Sequence, residues 1–116
     1  MKQSNLVKIH FILEQIDRID RIIRRHRGVV AAMEDFEGEM ALLMGIAQIG
    51  ETLNKIDDSL IRALDLQKDR DGAYYTRNYI VHDYENVDRM LIEDILRHHL
   101  PKMRQKLIRF IEKTDS

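Results

Sequence analysis

The chain has 116 residues, no cysteine, one proline and five glycines, with 44% apolar and 34% charged residues. That composition fits one soluble globular domain over residues 1–116 and excludes disulfides and thiolate metal sites. No apolar run reaches the ~20 residues of a membrane span, Lys8, His10, Glu14 and Asp17 interrupt any leader-like segment, and a cytoplasmic location is expected.

Ser4 or Asn5 is expected to cap a first helix, because a short polar side chain satisfies free N–H groups there. Ile9, Ile12, Leu13, Ile16, Ile19, Ile22 and Ile23 recur at helical spacing, and Gly28 is the expected stop. Arg18, Arg21 and Arg25 form a basic stripe at i, i+3, i+7 beside that apolar face. Two readings of the stripe stand. It is a solvated face paired with the acidic segment 34–58, or a contact for an RNA backbone, with phosphate as the counter-charge. The net charge of −1 does not by itself mark a nucleic-acid binder.

A second helix is expected to start between Val29 and Asp35 and run to about Ile56. Its buried stripe is read as Met40, Leu43, Ile46, Ala47, Gly50 and Leu53, with Gly45 and Gly50 permitting close approach of a neighbour. Asp57-Asp58-Ser59 reads as a break and a cap, followed by a short helix from Leu60 to Leu66. Residues Gln67 to Gly72 are polar throughout and read as a loop. A third main helix follows from Ala73 to His82. The last starts near Asn86 or Asp88, with a stripe of Leu91, Ile92, Ile95, Leu96, His99, Leu100, Met103, Leu107, Phe110 and Ile111. Its phase survives Pro101, which predicts one helix bent there rather than two. Short connections between long helices give an all-α antiparallel bundle of four main helices plus a short helix.

The chemistry concentrates at Arg77-Asn78-Tyr79-Ile80-Val81-His82-Asp83-Tyr84. Arg77 and His82 lie roughly 140° apart on a regular helix, whereas Asn78 and His82 share a face. Joint action of Arg77 and His82 on one phosphate therefore needs a loosened helix near His82 or a second subunit in a symmetric dimer. The residue types suit RNA cleavage by attack of the ribose 2′-hydroxyl on the adjacent phosphodiester. Imidazole moves protons near neutrality, and guanidinium offers a permanent charge and a planar fork to phosphate. Asn78 can orient His82 or the substrate, and Tyr84 can bind a phosphate or stack on a base. Tyr79, Ile80 and Val81 are expected in the core or a dimer interface. Each side chain also has a plain structural role open to it: a salt bridge for Arg77, a satisfied polar residue for His82. A metal site is not expected, since no two histidines have a spacing that shares a helix face.

Arg77-x4-His82-x-Tyr84, with Asn78 after the arginine, resembles the R-x4–6-H signature of the HEPN superfamily in the form found in HepT-like toxins. Ile46 to Glu51 resembles the "IGE" segment of that group, and Val87-Asp88 and Leu100-Pro101-Lys102 stand where its final-helix landmarks do. Where many relatives have a Pro-Trp stretch before the arginine, this chain has Asp71-Gly72-Ala73-Tyr74-Tyr75-Thr76. The resemblance implies a HEPN-like helical bundle that forms a homodimer and cuts RNA without a metal or other cofactor. It implies Arg77, His82 and Asn78 as catalytic residues. It further implies a type VII HEPN/MNT toxin–antitoxin system, in which an MntA-type nucleotidyltransferase antitoxin transfers AMP to the motif tyrosine, here Tyr84. Added bulk and negative charge at Tyr84 would block the cleft. The alternative is a HEPN module that binds nucleotide or protein without turnover.

Overall fold

The computed structural model describes residues 2–115, all of whose regular structure is helical. Helix α1 (Gln3–Arg25) buries Ile9, Ile12, Ile16 and Ile19. It begins earlier than expected, and neither Ser4 nor Asn5 caps it. Asn5 is buried instead, because it has a better partner in space. Its amide donates to Asp57 Oδ2 at 3.0 Å, and its Oδ1 accepts from the Asp57 N–H at 3.4 Å. The helix stops as expected at Gly28, with Arg27 taking the left-handed turn at φ 68°. The Gly28 N–H reaches back to the Ile23 carbonyl and the Arg27 N–H to that of Arg24.

The expected long second helix is two. Asp35 is extended between α2 (Val29–Glu34) and α3 (Phe36–Leu53), and its carboxylate caps α3 through the Gly38 N–H at 2.8 Å. A Cβ at Gly38 would lie 2.3 Å from the Ala32 carbonyl oxygen, so this elbow requires glycine. The stripe of α3 is buried at Leu43, Ile46, Ala47, Gly50 and Leu53, but Met40 faces solvent. Helix α4 (Asp58–Ala63) ends in a second left-handed cap at Asp65, φ 55°, followed by the fully buried Leu66.

The expected loop 67–72 is helical. Those residues open α5 (Gln67–His82), which therefore starts two turns before Ala73. Polarity there marks exposure, not coil: Gln, Lys and Arg are good helix formers, Asp69 stands in the first turn where a negative charge is favourable, and only Asp71 and Gly72 are poor ones. Arg70 anchors the segment on Asp58 at 2.8 Å. After a 3₁₀ turn at Tyr84–Asn86, Asp88 caps α6 (Arg89–Asp94) through the N–H groups of Met90 and Leu91. A π-helical stretch at Ile95–His99 leads without a break into α7 (Leu100–Asp115). The wider turn lies just ahead of Pro101, whose ring would collide with the preceding turn of a regular helix and which has no N–H to donate. Of the expected stripe, Leu91 and His99 face solvent.

These elements form an all-α bundle of antiparallel helices. Asn5 meets Asp57 at one end of the α1–α3 pair and His26 meets Asp35 at the other. Gly50 meets Ala73, and Glu39 meets Tyr84, along the α3–α5 pair. Helix α7 closes the bundle against α1 through Arg104 and Asp17 at 3.0 Å. Gly45 and Gly50 lie roughly 140° apart on α3. One admits Ile19 of α1, and the other admits the backbone of α5. Thus α3 is the central helix, and α5 is pressed onto it just where Arg77 emerges.

Candidate functional site

The close α3–α5 crossing builds the setting of Arg77. A Cβ at Gly50 would sit 2.5 Å from the Ala73 carbonyl oxygen and 3.1 Å from Arg77 Cβ. With no side chain there, the next residue, Glu51, reaches Arg77. Its Oε2 lies 3.1 Å from Arg77 Nε and is buried with no hydrogen-bond partner among the described residues, so the guanidinium charge is its compensation. Its Oε1 lies 3.4 Å from Lys55 Nζ. Arg77 Nη1 donates to Asn78 Oδ1 at 2.8 Å, and Cζ lies 5.6 Å from the centre of the Tyr74 ring. The arginine is thus held on three sides with its side chain 25% exposed. Its Nη2 edge has no partner among the described residues. Asn78 serves Arg77 here, not His82.

His82 ends α5, is exposed, and has no hydrogen bond or ion pair among the described residues. Helix α5 stays α-helical through His82, so the loosening that would turn both side chains one way does not occur. Within one chain Arg77 and His82 leave different faces. Of the three residues between Asn78 and His82, only Ile80 is core; Tyr79 and Val81 are 41% and 52% exposed.

Tyr84 lies beyond the helix, in the 3₁₀ turn. Its hydroxyl donates to Glu39 Oε1 at 2.9 Å, beside a shallow pocket lined by Met33, Leu43, Glu85, Val87 and Arg89. Burial, and then the hydrogen bond and negative charge of Glu39, hold the phenol above its ordinary pKa. The protonated, donating form is therefore the resting one.

The basic stripe is not gathered with these groups. On α1 it lies nearly opposite the buried isoleucines that face the core, while α5 packs on the other flank of α3. Arg18 pairs with Glu14 of its own helix, and Arg21 and Arg25 form no ion pair among the described residues. The acidic segment spends its charges elsewhere: Asp35 on His26, Glu51 on Arg77 and Lys55, Asp58 on Arg62 and Arg70.

Sequence reasoning missed Glu51 and Glu39 as partners of the motif. Both sit on α3; Glu51 stood out as the end of the segment that resembles the "IGE" landmark and as the residue after a glycine that permits helix contact, but neither signal pairs it with Arg77. Among the described residues no group of three or more His, Asp or Glu is arranged to hold a metal ion. No described helix is long and apolar enough to cross a membrane.

Comparison with curated proteins and with solved structures finds no match. Comparison with protein families matches residues 12–110 to the family described as Ribonuclease HepT-like. That span runs from the middle of α1 into the last turns of α7 and includes Glu51, Arg77, His82 and Tyr84, so the chain belongs to the HepT-like ribonuclease family.

Proposed function

We propose that this protein is an endoribonuclease toxin that cuts RNA without a metal ion, and that its working form is a homodimer. The observation that carries the reading is the state of Arg77: fixed by Glu51, Asn78 and Tyr74, with one guanidinium edge left for an anion, on the helix that ends in an unpartnered imidazole. Arg77 binds the scissile phosphate and stabilises the charge that builds on its oxygens. His82 takes the 2′-hydroxyl proton or delivers one to the leaving 5′-oxygen. Asn78 keeps Arg77 in aim. Two-fold symmetry supplies the second histidine, since the helix turns Arg77 and His82 of one copy apart. Supporting this is an exposed apolar strip on α3: Phe36, Met40 and Met44, spaced at i, i+4, i+8 and 75%, 49% and 58% exposed. Glu51, seven residues after Met44, reaches Arg77, so the strip borders the arginine. Arg18, Arg21 and Arg25 are outlying contacts for the backbone of a longer RNA.

Tyr84 is the point of control. Its half-exposed phenol is the residue to which a nucleotidyltransferase antitoxin of the MntA type transfers AMP, in a type VII HEPN/MNT pair. The added phosphate meets the carboxylates of Glu39 and Glu85 and swings into the cleft. Arg77→Ala and His82→Ala are expected to lower single-turnover RNA cleavage at least about 10²-fold while sedimenting as wild type, and cleavage should persist in excess chelator. A non-catalytic nucleotide-binding module would instead leave RNA intact with the wild-type protein.

A further inference from the structure

Helix α5 carries an aromatic face used neither by the core nor by the guanidinium. Tyr75 and Tyr79 are 59% and 41% exposed. With His82 they follow at i, i+4, i+7, which confines all three to an arc of roughly 60°. Their ring centres are 5.2 Å apart, with planes tilted at 53°. Thr76 and Ile80, which enter the core, lie on the adjoining face, centred roughly 110° round the helix from these three. The rings also stand well round the helix from Arg77 and the α3 strip beside it. Their neighbours are polar and of both signs: the Asn78 amide; Lys68 seven residues before Tyr75, which forms no ion pair among the described residues; Asp71 four before Tyr75; and Asp83 four after Tyr79, whose negative charge acts on that phenol.

We propose that Tyr75 and Tyr79 form a stacking platform for two unpaired bases of a single-stranded RNA whose scissile linkage lies at His82. The proposal rests on the ribonuclease reading and adds to it a substrate class and a direction. Every base has a π-face, so stacking on tyrosine tolerates any sequence. A base inside a duplex keeps its faces against its neighbours and cannot use the rungs. At about 1.5 Å per residue, Tyr79 lies one turn from His82 and Tyr75 about 10 Å away, so the platform takes nucleotides on one side of the cut only. Polar neighbours and tyrosine hydroxyls suit a nucleotide better than the dry centre of a subunit interface, which the α3 strip is equipped to supply.

The test uses full-length His82→Ala protein, which should bind without cutting, and a labelled single-stranded oligoribonucleotide read by fluorescence anisotropy. Adding Tyr75→Ala or Tyr79→Ala should weaken binding roughly 5- to 150-fold per ring. Phenylalanine at either position should restore it, and a duplex of the same length should bind less tightly than the single strand. Sedimentation of each variant should match the parent. Alanine variants that bind like the parent would overturn the proposal while leaving the ribonuclease reading intact. So would equal binding of duplex, or a loss of binding that tracks dissociation into monomers, which would assign the rings to a second copy. A wild-type protein that cuts no RNA and a parent that binds none would remove both.

Discussion

At Arg77 the decisive neighbour is a carboxylate from another helix. Glu51 and Asn78 occupy two of the guanidinium's N–H directions, so the remaining edge points one way rather than sampling many. Aim of this kind is worth much in catalysis, since a misplacement of about 1 Å can cost on the order of 100-fold. Glu51→Gln keeps the shape and removes the charge. It should lower kcat for RNA roughly 10- to 100-fold with KM little changed. A variant that loses thermal stability yet keeps kcat would make Glu51 a folding residue only. Of this cluster, Arg77 and Asn78 were picked out in the sequence, but Asn78 was expected to orient His82 or the substrate rather than to hold Arg77. Glu51 was not legible as a partner, because it meets Arg77 only where Gly50 lets two helices touch.

Among the elements, α5 was misread at its start for a reason that can be tested. The polar run Gln67 to Gly72 reads as a loop in the sequence, but it is helical, and Gly72 sits inside the helix with nothing within 4 Å of where a Cβ would be. Gly72→Ala should therefore stabilise the protein by about 0.5–1 kcal/mol, seen as a higher Tm. The junction of α1 and α3 offers a second test. His26 Nδ1 donates to the Ile22 carbonyl, and Nε2 faces Asp35 Oδ2 at 3.2 Å. With Nδ1 carrying a proton, Nε2 can donate to Asp35 only in the imidazolium form. The Ile22 carbonyl, helped by Asp35, raises the His26 pKa above its ordinary 6.5, and the Gly38 N–H, helped by His26, lowers that of Asp35 below 3.8. The histidine contribution is thus full below pH 6.5 and lost as pH rises through the raised value. The aspartate contribution is present above pH 3.8 and lost as pH falls through the lowered value. Wild type should lose Tm relative to His26→Gln as pH rises from about 5 to about 8, and parallel curves would refute the clip.

At the scale of the whole molecule, Phe36, Met40 and Met44 are the exposed surface on which the proposed dimer rests. Large apolar side chains gathered on one helix face mark an interaction surface more often than chance exposure does. Met40→Glu with Met44→Glu should convert a dimer to monomer in sedimentation and depress RNA cleavage, most strongly on dilution. A double variant that stays dimeric would move the interface elsewhere. The residue-scale prediction for Glu51 is independent of this one, because that contact lies within a single chain.

The helical class, the phase of the isoleucine stripe, the stop at Gly28 and the cap at Asp88 were set by local sequence. Each depends on interactions within a turn or two, and composition and spacing report those directly. The pairing of Asn5 with Asp57 and the holding of Arg77 by Glu51 were decided only in three dimensions. Each depends on which distant group arrives at a given point. That is determined by how closely α3 admits α1 at Gly45 and α5 at Gly50, a packing fact that no single stretch of chain contains.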